Sequence, residues 1–414
     1  MEVEPALADP EAGRGGLLRN HGGGHAPVSY LELFFDLVFV FAITQLSHVL
    51  HEDLSWGGLL AETVLFLAVW WAWMYTTWVT NWADPERLPI RVMLLVLMLL
   101  SLALAVAIPT AVTSHAGLFA ASYVAIQLGR SSCMILVFSR ANPSNARNLA
   151  RISIWFAGSA VFWAIGVLRG SDERLAWWLV ALAIEYTGPF TFFRVPGLGR
   201  STAANWNISG SHMAERCALF IIIALGEGIV VTGSALSGQP LVAGRLAAFL
   251  LAFLTSVLMW WLYFDLGADR SARRIQQDAQ PGRFARDAYT YLHMPIVGGI
   301  VIGAVSDALV LEHWSDPVSP ALILTLCGGN LLFLLGLSAF KRLSSPLHAP
   351  PLSHSVAAVL FVLLGLWAWF RLPGALTLAS WAVAILALAV VWEWVSFHGG
   401  WKERFFALIG RGST

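Results

Sequence analysis

Runs of roughly 20 apolar residues, the length that crosses about 30 Å of hydrocarbon as a helix, recur along the chain with polar residues gathered between them. The pattern predicts an all-α integral membrane protein of about twelve transmembrane helices. They fall at 31–51, 56–80, 89–110, 115–138, 149–168, 174–194, 212–235, 242–265, 288–311, 319–340, 352–371 and 374–396. Residues 1–27 are rich in Gly, Pro and Glu and lack the charged-then-apolar order of a cleaved signal. They read as a disordered cytoplasmic tail, and 401–414 as a second cytoplasmic tail.

The basic residues orient the spans. If both termini and every even-numbered loop share one side, that side takes nearly all of the 25 Lys and Arg. Only Arg169, Arg174, Arg245 and Arg371 fall on the other side, and only Arg130 and Arg216 lie more than three residues inside a span. Such asymmetry marks the cytoplasmic face of a membrane protein, with both termini on that face.

The second half echoes the first, which divides the chain into six-helix units at 28–200 and 201–400. "LELFFDLVFVFAITQ" aligns with "AERCALFIIIALGEG" through Glu32 and Glu215. Trp70-Trp71 matches Trp260-Trp261, Arg140 matches Arg342, and Glu185 matches Glu393, with offsets that grow steadily from 183 to 208. Six is an even number of crossings, so the two units would be parallel repeats related by an axis along the membrane normal. Convergent composition among apolar helices is the competing explanation.

Composition agrees with a membrane setting. The chain is 57% hydrophobic and 12% charged, about half the charged share of a soluble domain. Its 20 tryptophans suit two water–lipid interfaces. A formal net charge of zero offers nothing to nucleic acid. Cys133, Cys217 and Cys327 lie in apolar stretches with no metal spacing, so they read as small core residues.

Charged groups at membrane depth are costly and are functional candidates. A polar cavity is expected from Glu32, Asp36, Arg130, Glu185, Glu215, Arg216, Glu227 and His293. Glu32 and Asp36 share a helix face as an i, i+4 pair. They are either a proton or cation relay, or an interfacial pair that caps the span and bonds Arg130 or Arg216. His48 lies about 160° round the helix and some 24 Å along it, so it belongs elsewhere. His212-x-x-Glu215 has a spacing that metal ligation would accept, but a salt-bridged helix end explains it as well. Glu227 stands between Gly226 and Gly228, and glycines at buried polar sites let helices approach or open. His293 is a proton acceptor or a packing histidine. The Trp-rich stretch "VWWAWMYTTWVTNWADPER" is a ligand-stacking wall, or an interfacial belt and bundle core.

No phosphate loop, dinucleotide fingerprint, zinc-protease helix or nucleophile elbow occurs. Instead "ELFFDLVFVFAITQLSHVL", "NWADPER", "HMAERCALFIIIALGEGIVV" and "YLHMPIVGGIVIGA" appear in the order of, and resemble, the bacterial low temperature requirement A family of multi-pass membrane proteins. The resemblance runs over about 28–400 and carries the polar signature Glu32, Asp36, His48, Asp84, Glu215, Arg216, Glu227 and His293. It departs at Met213 and Cys217, where packing is affected more than charge. It implies membrane residence without a defined reaction, cofactor or metal. The expected function is a transporter or permeation protein, proton- or cation-coupled, with an acidic cavity on the cytoplasmic side. The alternatives are a membrane-embedded enzyme acting on a lipid or apolar substrate, and a cold-adaptation sensor or scaffold. Expected partners are the lipid bilayer and a small-molecule, ion or lipid substrate, with homo-oligomerisation left open.

Overall fold

The computed structural model describes residues 16–19, 27–202, 208–265, 274–275, 278, 280–345 and 349–398. Long helices dominate, in the order α1 (Tyr30–Glu52), α2 (Trp56–Trp82), α3 (Leu88–Ala107), α4 (Ala116–Ala141), α5 (Pro143–Leu168) and α6 (Ser171–Thr187). After a break follow α7 (Gly210–Leu236), α8 (Ala243–Phe264), α9 (His293–Glu312), α10 (Pro320–Ser344), α11 (Leu352–Arg371) and α12 (Ala375–His398). Among the described residues there is no β-strand, only three isolated bridges. Apolar backbone in lipid must satisfy its hydrogen bonds internally, which is why these runs become helices.

Among the described residues eleven helices are long and apolar enough to cross a membrane. The exception is α6. Its expected span of 174–194 is a 17-residue helix, Ser171–Thr187, followed by turns, about 26 Å long at 1.5 Å per residue. Its two ends are nevertheless tied to opposite ends of the bundle. Arg174 donates to the Val112 and Thr113 carbonyls at the α3–α4 connection. At the other end Tyr291 Oη donates to the Tyr186 carbonyl (2.8 Å) and Arg286 to that of Pro189 (3.2 Å).

The bundle end at which α1 begins is called the near end here, and that at which α1 finishes the far end. Ser29 caps α1 through a capping box with Glu32. Residues 16–19, expected within a disordered tail, instead dock on the near end. The Arg19 amide donates to the Trp82 carbonyl (2.8 Å), and the Asp84 amide donates to that of Leu17 (3.0 Å). Asp84 in turn holds the Glu86 amide (3.0 Å) and Arg87, so "NWADPER" forms the turn that receives the tail.

The tryptophan run lies inside the bundle. Trp70, Trp71 and Trp73 are fully buried, and Trp71 stacks on Tyr186 with ring centroids 3.8 Å apart. Between α9 and α10 the backbones almost touch: a Cβ on Gly299 would lie 2.5 Å from the Phe333 nitrogen and 2.7 Å from the Gly329 carbonyl. In lipid, where hydrophobic attraction between helices is weak, such small-residue contacts carry association.

Candidate functional site

The opening carboxylates of α1 meet the start of α7. Glu32 Oε2 accepts from Arg19 Nη2 (2.7 Å), the Ser29 amide (2.8 Å) and Ser29 Oγ (2.9 Å). Its Oε1 lies 2.8 Å from His212 Nε2. The Asn81 amide is oriented by Ser209: Asn81 Nδ2 donates to the Ser209 carbonyl and Asn81 Oδ1 accepts from the Ser209 amide, both at 2.8 Å. Nδ2 therefore also faces His212 Nδ1, at 3.2 Å, which must accept. The His212 proton is then on Nε2 and donated to Glu32. His212 is thus committed to a carboxylate partner on another helix.

One turn deeper, Asp36 Oδ1 accepts from Arg216 Nη2 (2.7 Å) and Trp73 Nε1 (2.8 Å), and the Arg216 guanidinium lies over the Trp73 ring at 5.7 Å. Both charges are fully buried. The pair is single-toothed. Asp36 Oδ2 and Arg216 Nε and Nη1 have no hydrogen-bond partner among the described residues.

Deeper still the seam becomes apolar, with Phe39 and Ile43 of α1 and Phe220, Ile221 and Ala224 of α7 buried. Beyond this plug Thr44 Oγ1 donates to Glu227 Oε2 at 2.5 Å. Glu227 lines a far-end cavity of about 390 Å³ with Thr44, Ser47, His48, His51 and Glu312 among its walls.

The remaining candidates lie elsewhere. Glu185 on α6 accepts from Tyr123 Oη, Ser159 Oγ (2.6 Å) and Trp163 Nε1 (3.1 Å). Gln127 bridges Tyr123 (3.0 Å) to Arg130, which also donates to Thr76 Oγ1 (3.2 Å) and the Ala72 carbonyl. Arg130 is therefore tied to α2 and to its own helix, and Asp36 takes Arg216 as its counter-ion.

His293 sits after a π-helical turn, Ala285–Tyr291, whose wider winding frees carbonyls from the regular ladder. The Ala288 carbonyl takes His293 Nδ1–H (2.9 Å), so Nε2 accepts from Tyr263 Oη (2.8 Å). The Thr290 carbonyl takes Trp70 Nε1 (2.9 Å). With Tyr289 and Phe340 also packed on it, His293 is a satisfied core histidine. Glu215 is half-buried at the start of α7.

Seven of the eight expected residues thus divide among four places and not one polar cavity: the α1–α7 seam, the far-end cavity, the α4–α6 network and the π-turn. The sequence alone gives Asn81, Trp73, Tyr123 and Thr44 no place in a site, because neighbouring helices supply their partners. Also outside the expected set are two buried acids, Glu62 on α2 and Asp307 on α9, and the buried ion pair of Lys341 with Glu393 at 2.7 Å. Glu62 and Asp307 were detectable as carboxylates inside apolar spans.

These features define a polytopic helical membrane protein with buried ionisable groups between two halves of the chain. The model of the bacterial low temperature requirement A protein family matches residues 27–391, and the chain belongs to that family. It is 40% identical over 384 residues, 92% of each chain, to a protein of Rhizobium meliloti (strain 1021) described as uncharacterized protein RA0937. No solved structure matches.

Proposed function

We propose that the protein is an inner-membrane transporter, built from two parallel six-helix halves with both termini in the cytoplasm, that moves a small solute with proton or cation coupling. The observation that carries this reading is the α1–α7 seam: ion pairs seal its near end, an apolar plug follows, and its far end opens into a cavity with a carboxylate at the floor. That is the form of one state in an alternating-access cycle.

The seam also supports the architecture. The contacts Glu32–His212, Asp36–Arg216 and Thr44–Glu227 advance together along both helices, so α1 and α7 run in the same direction. An even number of crossings must then separate their starts. Helices α1–α5 supply five, and α6, anchored at both bundle ends, is the sixth.

The packing repeats as well. The pairs α1–α2, α1–α3, α3–α4, α4–α5, α5–α6 and α2–α6 recur as α7–α8, α7–α9, α9–α10, α10–α11, α11–α12 and α8–α12. Thr44 and Glu227 hold matching places in the two repeats and touch, as residues astride a pseudo-two-fold axis would. The near end carries Arg87, Arg91, Arg140, Arg147, Lys341 and Arg342, against Arg169, Arg174, Arg245 and Arg371 at the far end. This favours a cytoplasmic near end.

In this mechanism Asp36 and Arg216 form the near gate. A single-toothed buried pair with three unanswered polar atoms is poorly suited to pure stabilisation. It is free to exchange partners when the halves rock. The test is full-length protein in liposomes carrying an internal pH dye, under an imposed pH gradient. Protein-dependent acidification is expected, lost in Glu227→Gln and retained in the surface variant Asp172→Asn. Folded protein that produces no flux above empty liposomes refutes the coupling.

A further inference from the structure

We propose that the far-end cavity between α1, α7 and α9 is a binding site for a small organic cation, a primary or secondary alkylammonium. Two unanswered polar groups point to an occupant. Glu227 is 1% exposed; its Oε2 holds the Thr44 hydroxyl, while its buried Oε1 has no hydrogen-bond partner among the described residues. Ser47 is 2% exposed and its Oγ is likewise buried with no hydrogen-bond partner among the described residues. Both residues line the same space. A buried polar atom left unpaired costs about 1–3 kcal/mol, more for a charged group, and a ligand that brings N–H donors to the floor removes that cost.

The sign of the ligand follows from the lining. Carboxylates stand at the floor, Glu227, and at the mouth, Glu312, where His51 lies 3.2 Å from it. Among the described residues no arginine or lysine lines the cavity, and its two histidines each stand beside a carboxylate, His48 by Glu52 (3.6 Å) and His51 by Glu312, so an anion or a phosphate headgroup finds no free counter-charge. The chemical class follows from the walls. Val230 and Val305 face the same space, so part of the lining offers a bare metal ion no oxygen and suits an alkyl body instead. Among the described residues no group of three or more His, Cys, Asp or Glu is placed to hold a metal.

Size completes the argument. About 390 Å³ is the space of roughly a dozen waters at about 30 Å³ each, and it lies within the range of small-molecule sites. An alkylammonium answers each feature: N–H donors for Glu227 Oε1 and Ser47 Oγ, a positive charge for the acidic lining, and an alkyl body for the valines. Naming this cation as the transported solute rests on the transport reading above; its binding does not.

The experiment uses full-length protein in lipid nanodiscs and isothermal titration with n-butylammonium chloride. Parallel titrations use n-butanol, and sodium chloride at matched ionic strength. Saturable butylammonium binding is expected, weakened at least about tenfold in Glu227→Gln and about fivefold in Ser47→Ala, the losses for a charged and a neutral hydrogen bond. Should Glu227→Gln not fold, Val230→Trp narrows the cavity from a half-exposed wall position and is expected to abolish binding. Butanol binding as tightly as the amine would overturn the proposal in favour of an apolar cavity. Sodium competing at equal concentration would overturn it in favour of an inorganic-ion site. Binding that persists in a protein showing no proteoliposome flux would leave the site standing and remove the transport reading alone.

Discussion

The Asp36–Arg216 pair makes the sharpest prediction. Both side chains are fully buried and joined by one contact of 2.7 Å, with Trp73 Nε1 donating to the same carboxylate oxygen. Replacing Arg216 with Met leaves Asp36 in the bundle with one neutral donor. Breaking a buried pair from one side costs about 3–5 kcal/mol, on the order of 10²- to 10⁴-fold in the folding constant. The double variant Asp36→Asn, Arg216→Met removes both charges, keeps an acceptor for Trp73 and replaces the arginine stem with a similar volume. It should return to within about 1–2 kcal/mol of the parent, because an uncharged pair needs no counter-ion. The assay is reversible unfolding in mixed micelles, followed by alkylation of Cys217 and Cys327, which are buried. Exposed Cys133 is first replaced by Ser. Stability losses that simply add, leaving the double variant below Arg216→Met alone, would refute the reasoning. So would an Arg216→Met cost under about 1 kcal/mol.

Two further outcomes follow from packing and topology. Gly299→Ala should destabilise the α9–α10 contact by about 1–3 kcal/mol, the cost of overpacking against backbone. Gly303→Ala, whose Cβ meets only Met259 at 3.8 Å, should be nearly neutral; equal melting points for the two would refute the close approach. If α6 crosses the membrane, a cysteine placed at Asp172 should react with an impermeant maleimide from the same side as one at Glu52. A cysteine at Arg194 should react from the opposite side, and a shared side for 172 and 194 would rule out a sixth crossing.

Glu32 and Asp36 show how much of the site was legible. Their shared helix face and the capping role of Glu32 could be read from spacing, because i, i+4 geometry and capping boxes are local; the choice of Arg216 over Arg130 as counter-ion could not. That the two acids take different partners could not. Glu32 is filled by Arg19, Ser29 and His212, and Asp36 by Arg216 and Trp73. His293 read as proton acceptor or packing residue, and only the π-turn that offers it the Ala288 carbonyl decides for packing. His48 read correctly as foreign to the Glu32 environment, and lines the far-end cavity instead.

The sequence by itself determined the helical membrane class, most helix positions and the family. Lipid demands long apolar runs with internally bonded backbone, and that demand is written residue by residue. Tertiary structure alone decided which buried charges answer one another, that α1 and α7 lie parallel in register, and that Glu227, at the floor of a cavity, has one oxygen without a partner among the described residues. Those outcomes depend on contacts between residues some 180 positions apart, whose alignment is set by helix packing and leaves no local trace in the chain.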